Sequence, residues 1–142
     1  MKNPDQTGIL HAAEVFAKIV CSNHNKNIIL LIEGKPGQGK SWASIRIATA
    51  ASEYIAKYNG GNPWDYFTLD NVGIIIPDDM LRVIQHMKKR NIVIFDDMGM
   101  AYSGRDWQSD GNKAMNAMIQ TIRTDNNIII ITVPDAEWIG KI

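Results

Sequence analysis

The chain has 142 residues, 45% of them hydrophobic, enough to bury the core of one domain and too few to call for two. Its 15 basic and 15 acidic side chains cancel, so no global positive field draws it to nucleic acid or acidic lipid, and any DNA contact has to be local. A lone Cys21 excludes an intramolecular disulfide, "MKNPDQTG" lacks the apolar core of a signal peptide, and no apolar run is long enough to span a bilayer, which makes the cytoplasm the expected compartment.

Ile9, Ala13, Phe16 and Val20 recur at helical spacing and predict an amphipathic helix that ends in the polar stretch "CSNHNKN". "NIILLIEG" follows as a continuous apolar run with a glycine stop, the pattern of a strand buried on both faces of a parallel sheet. After a glycine-rich turn, Ile47, Ala48, Ala51, Tyr54, Ile55 and Tyr58 predict a helix closed by Asn59-Gly60-Gly61-Asn62-Pro63. A short strand is expected near Val72–Ile76. Pro77-Asp78-Asp79 then opens a helix carrying Met80, Val83, Ile84 and Met87, with Asp78 as its expected N-cap.

Lys88-Lys89-Arg90 reads as the cationic end of that helix, with contact to phosphate backbones as the competing role. "NIVIFDD" predicts another buried strand, "MGMAYSGRDWQSDG" a long loop, Met115, Met118, Ile119 and Ile122 a helix face, and "NIIIITVP" the last strand. The alternation of strands and helices defines an α/β domain with a mostly parallel central sheet flanked by helices on both sides. Residues 1–27 form its leading helix and entry, 28–134 its core, and 135–142 a tail. The chain stops so soon after the last strand that a truncated or minimal protein is expected.

"GKPGQGKS", residues 34–41, fits G-x-x-x-x-G-K-[ST] at every fixed position, with a strand before it and a helix after it. Successive backbone N–H groups can all face a phosphate only where side chains do not obstruct them, which is the use of Gly34, Gly37 and Gly39. Lys35, Pro36 and Gln38 complete the loop, and Trp42 follows it in the first helical turn. Lys40 supplies a mobile charge for the β- and γ-phosphates of ATP, and the Ser41 hydroxyl is the expected Mg²⁺ ligand. An apolar strand ending in Asp sets a carboxylate at the carboxyl edge of the sheet. Asp96 is accordingly the expected partner of Mg²⁺ through water, and Asp97 the base that orients and deprotonates the attacking water.

In this order, "GKPGQGKS", the strand at Val72–Ile76, "IVIFDD" and "IIIIT" ending at Thr132, the chain resembles the three-layer P-loop NTPases (RecA/AAA-like) of the additional-strand, catalytic-acid division, from about Ile28 to Pro134. That resemblance implies ATP hydrolysis and makes Thr132 a polar sensor residue. "IRTDNNIIIITVP" looks like a segment of the FtsK/HerA-like DNA-pumping and Zot-like or packaging ATPases, although Val133 stands where their glutamine falls. "IFDDMG" looks instead like the helicase-loader branch of the AAA+ ATPases, a resemblance that would call for a second, arginine-bearing lid domain, which residues 1–142 are not expected to contain. Asp97 also departs from the more common Glu, which shortens the base by one methylene and bears on how efficient hydrolysis is.

The motor resemblance implies a homo-oligomeric ring acting on DNA, with Arg123 a candidate arginine finger across a subunit boundary; a helix-terminal cation is the plainer reading. Arg105 competes for the finger role, and Tyr102 and Trp107 beside it read as stacking groups or as packed loop residues. Trp64, Tyr66 and Phe67 read as core or subunit contact rather than as an adenine platform, and His11, His24 and His86 show no metal-ligand spacing. Two other functions fit the same loop, a small-molecule kinase and a nucleotide-dependent switch or scaffold without turnover.

Overall fold

The computed structural model describes residues 4–22, 24–35, 37–97, 120 and 126–134, with side chains from residue 8 onward. Helix α1, Pro4–Val20, leads into strand β1, Ile28–Glu33, and helix α2, Lys40–Asn59. Two 3-10 turns, Pro63–Asp65 and Leu69–Asn71, precede β2, Val72–Ile74; helix α3, Pro77–Gln85, then β3, Ile92–Asp96, and β4, Ile128–Val133, complete the described elements. The long loop after β3 and the helix expected around Met115–Ile122 lie outside the described residues, except for Gln120, which is helical.

The four strands form one all-parallel sheet in the order β1-β4-β3-β2. The last strand in sequence therefore lies between the phosphate-loop strand and the acid-tipped strand, whereas Val72–Ile74 is an outer strand. Burial explains the order. Every residue of β3 and β4 is buried, which suits strands paired on both sides and covered on both faces. On one face Ala13, Ala17 and Val20 of α1 and Ile47, Ala48, Ala51 and Ile55 of α2 pack with Ile92, Ile94, Ile128 and Ile130. On the other, Met80 and Val83 of α3 pack with Val93, Phe95, Ile129, Ile131 and Val133.

β1 corrects an expectation. It alternates half-buried and exposed residues, with Ile29 44% and Leu31 37% exposed, so it is an outer strand covered on one face only. A run of apolar residues does not by itself distinguish the two situations. The N-cap of α3 is likewise Ile76, with Pro77 opening the helix; Asp78 sits one residue inside, in the first turn, where its charge complements the helix dipole. α3 also ends at Gln85, so Lys88-Lys89-Arg90 lies beyond the helix and does not cap it. Among the described residues no helix is long and apolar enough to cross a membrane.

At the amino edge of the sheet, buried asparagines join segments that are distant in sequence. Asn126 Nδ2 donates to the carbonyl oxygens of Val20, Ser22 and His24, at 2.9, 3.3 and 3.0 Å. Asn127 Nδ2 donates to Lys88 and Asn91 carbonyls at 2.8 and 3.3 Å. These bonds fix where β4 enters, and hence where its other end delivers Thr132.

Candidate functional site

Because the strands are parallel, the segments that leave β1, β3 and β4 all emerge at one edge of the sheet. Ile32 is in register with Thr132 and Glu33 with Val133, so the loop after β1 starts beside the end of β4, and Gly34 N–H donates to Val133 O at 3.2 Å. Gly37 and Gly39 take φ of 82° and 81°, the left-handed region that favours glycine. At Gly34 the side chains close in instead: a Cβ there would lie 2.9 Å from Gln38 Oε1, which would have to turn aside, and 3.4 Å from the Lys40 side chain. Gln38 closes the turn, its Oε1 accepting from Lys35 N–H at 2.9 Å.

α2 begins at Lys40 with Gly39 as its N-cap, with no side-chain cap bond and no acid in its first turn. Its first N–H groups and dipole are therefore left to an external anion. Ser41 lies half-buried in that turn. Trp42 is exposed and carries the Arg46 guanidinium over its ring, 5.0 Å from the centroid. Pro36 lies outside the described residues.

Lys40 is the centre of the arrangement. Only 8% exposed, its Nζ donates to Gly34 O at 2.5 Å, to Val133 O at 3.3 Å and to Asp97 Oδ2 at 2.5 Å. Thr132, fully buried, holds Asp97 from the other side: Asp97 N–H donates to Thr132 Oγ1 at 3.0 Å, and that hydroxyl donates to Asp97 Oδ1 at 3.1 Å. Asp96 is buried at the tip of β3. The structure thus brings Lys40, Asp96, Asp97 and Thr132 from three parts of the chain to one edge. The two carbonyl acceptors of Lys40 carry no signal in the sequence, since any residue supplies a carbonyl.

Among the described residues no group of three or more His, Cys, Asp or Glu side chains is placed to hold a metal by itself. A Mg²⁺ ion bound with nucleotide takes one or two protein oxygens and fills the rest of its shell with water and substrate phosphate. The Ser41 hydroxyl, in the first turn of α2, and the Asp96 carboxylate, at the tip of β3, are the groups that would supply such oxygens. Arg123, Arg105, Tyr102 and Trp107 lie outside the described residues.

A family model described as Novel STAND NTPase 3 matches residues 15–136, a span holding the phosphate loop, both acids and the strand tipped by Thr132. No curated protein matches the chain. The family match and the fold support nucleoside triphosphate binding and hydrolysis in general terms, and do not extend to the narrower likeness to DNA motors. The match covers most of the sequence, and the chain belongs to the novel STAND NTPase 3 family.

Proposed function

We propose that the chain binds ATP with Mg²⁺ and hydrolyses it, and that nucleotide binding itself frees the catalytic base. The observation that carries this reading is the Lys40–Asp97 ion pair at the mouth of the phosphate loop. Both carboxylate oxygens of Asp97 are engaged, Oδ2 by the Lys40 ammonium and Oδ1 by the Thr132 hydroxyl, so the cation sits on the oxygen that would take the proton. Incoming phosphates present a higher negative charge to the same ammonium. Lys40 turns to the β- and γ-oxygens, and Asp97 Oδ2 is released while Thr132 keeps the carboxylate in place.

Asp97 then accepts a proton from a water whose oxygen attacks the γ-phosphorus; the bond to the β–γ bridging oxygen breaks, leaving ADP and phosphate. The loop N–H groups and the start of α2 hold the phosphates in line. Ser41 and Asp96 would hold Mg²⁺, which neutralises charge on the β- and γ-oxygens when bound. The test is phosphate release together with binding of a fluorescent ATP analogue. Lys40→Ala should lose binding, and Asp97→Asn should keep binding and lose turnover. Equal affinity of Lys40→Ala and the parent in Mg²⁺ buffer defeats the phosphate-loop assignment. A phosphorylated acceptor in place of free phosphate would make the protein a kinase, and binding without any product a switch or scaffold.

The narrower proposal, a homo-oligomeric ring moving DNA with Arg123 reaching into a neighbour's site, is supported only by the likeness of "IRTDNNIIIITVP" to DNA-pumping ATPases. Mixing inactive Arg123→Ala with inactive Lys40→Ala subunits should restore some hydrolysis if sites are shared. A fully active Arg123→Ala removes the claim.

A further inference from the structure

The opposite edge of the sheet carries a second cleft, of about 790 Å³, between the turns that precede β2 and β3 and the end of α3. Its size is that of small-molecule sites. The length of β3, five residues, separates it from the phosphate loop by roughly 15 Å. Trp64, Asp70, His86 and Lys88 line it, and each has a polar or aromatic group that the fold does not consume.

Trp64 is 65% exposed, unlike its neighbours Tyr66, which is buried, and Phe67, which packs on the core. Lys88 stands past the end of α3 and pairs with no carboxylate among the described residues; its exposed neighbour Lys89 likewise has none. The acids of the cleft are already partly balanced. Asp65 Oδ2 accepts from Asn62 N–H at 2.8 Å, and Arg82, which donates to the backbone carbonyl oxygen of Asp70 at 3.3 Å, brings its positive charge near that residue's carboxylate. Asn71 and Asn91 are bonded to one another at 3.3 Å and form a fixed floor. His86 Nδ1 lies 2.8 Å from Arg82 O, which leaves Nε2 as the ring's remaining polar atom.

A flat aromatic platform, an unpaired cation with an imidazole nearby, and a carboxylate are together the complement of a nucleoside phosphate. We propose that this cleft binds a ribonucleoside phosphate unit, with the base stacked on Trp64, the phosphate on Lys88 and His86, and a ribose hydroxyl on Asp70. Stacking on an aromatic ring tolerates any base, so the site takes the chemistry and not a sequence. The unit comes either as a free mononucleotide or as part of a single strand of RNA. The site is independent of the phosphate loop, because a ligand with one phosphate per nucleoside has no β- and γ-oxygens to offer Lys40.

The experiment uses the full chain with two probes, fluorescein-labelled octauridylate followed by anisotropy, and unlabelled uridine monophosphate as competitor. Trp64→Ala should weaken octauridylate binding about tenfold, with Trp64→Phe restoring most of it. Lys88→Ala should weaken it and lower the slope of log affinity against log salt by about one. All three variants should unfold in urea at the parent's midpoint, which reports that they are folded. Competition by uridine monophosphate at concentrations comparable to octauridylate identifies a free nucleotide as the source; binding of octauridylate alone identifies a strand. Failure of both probes to bind the parent, or octauridylate binding that Trp64→Ala and Lys88→Ala leave unchanged, overturns the proposal.

Discussion

Lys40 Nζ lies 2.5 Å from Asp97 Oδ2, a contact between residues 57 positions apart that joins the cation proposed to bind phosphate to the acid proposed as base. Both side chains are largely shielded from water, at 7% and 14% exposure, so the pair is far more strongly coupled than a surface ion pair. Asp97→Asn keeps the shape and removes the charge. Loss of one partner of a buried pair costs about 3–5 kcal/mol, and because Gly34 and Val133 carbonyls still accept from Lys40, about 3 kcal/mol is expected in the nucleotide-free protein. Bound ATP resupplies the missing charge, so the deficit should shrink and ATP affinity rise in the variant, while turnover falls about 100-fold or more. Urea unfolding with and without a non-hydrolysable ATP analogue measures this. An equal deficit in both conditions would show that Lys40 does not change partners.

Thr132 makes a separable prediction. Thr132→Val preserves volume but strips Asp97 of a donor to Oδ1 and of the acceptor for its N–H. Leaving those groups unpaired costs about 1–3 kcal/mol. If Thr132 acts by positioning Asp97, kcat should fall about tenfold with little change in KM, and Thr132→Ser should recover most of it. A change confined to KM would mean instead that Thr132 touches the nucleotide.

How much of this was legible in the sequence depends on the range of the interaction. The phosphate loop, α2 and the apolar strands β3 and β4 follow from spacing and periodicity within a few residues. That β1 leaves Ile29 and Leu31 exposed does not, because exposure depends on which strand stands beside it. Lys40 and Asp97 each carry a motif, yet their contact depends on β4 lying between β1 and β3. Asn126 and Asn127 look like ordinary turn residues before a strand, and only the folded chain reveals the carbonyls they serve. Trp64 and Tyr66, two positions apart, have opposite fates that no local pattern distinguishes.

Asp79 gives the fold an acid-side weakness. Its Oδ1 accepts from Arg82 Nε at 2.9 Å and its Oδ2 from Ile74 N–H at 2.7 Å, tying α3 to β2. The Arg82 hydrogen bond, helped by that of Ile74 and opposed by burial, holds the Asp79 carboxyl below the ordinary carboxylate value. A carboxyl with a depressed folded-state pKa contributes stability that is complete above its unfolded pKa, near 4, and is lost as pH falls through the depressed value. Asp79→Asn should therefore be less stable than the parent at pH 7, and the gap should narrow toward pH 3. A gap that stays constant between those pH values would rule out the ionised carboxyl as its source.

Asn126 is the position where backbone and side chain make opposing demands on a replacement. Its φ of 54° favours glycine or asparagine, and its side-chain amide donates to three carbonyl oxygens while the residue is only 2% exposed. Asn126→Gly keeps the backbone and loses the donors; the amide has two N–H groups to share among the three carbonyls, each worth about 1 kcal/mol, so a loss of about 2 kcal/mol is expected. Asn126→Ala adds the strain of a left-handed Cβ, about 1 kcal/mol more. Asn126→Asp is isosteric, yet it turns a carboxylate toward three carbonyl oxygens in a site closed to water, so it should be the most damaging of the three and should recover in part at low pH as the carboxyl protonates. Denaturation midpoints should follow Gly, then Ala, then Asp in falling order at pH 7. Because these bonds fix the entry of β4, turnover should fall along the same series through Thr132 at the strand's far end. An Asp variant as stable as the Gly variant would mean that the amide's contacts with α1 and the loop after it do not hold β4 in place.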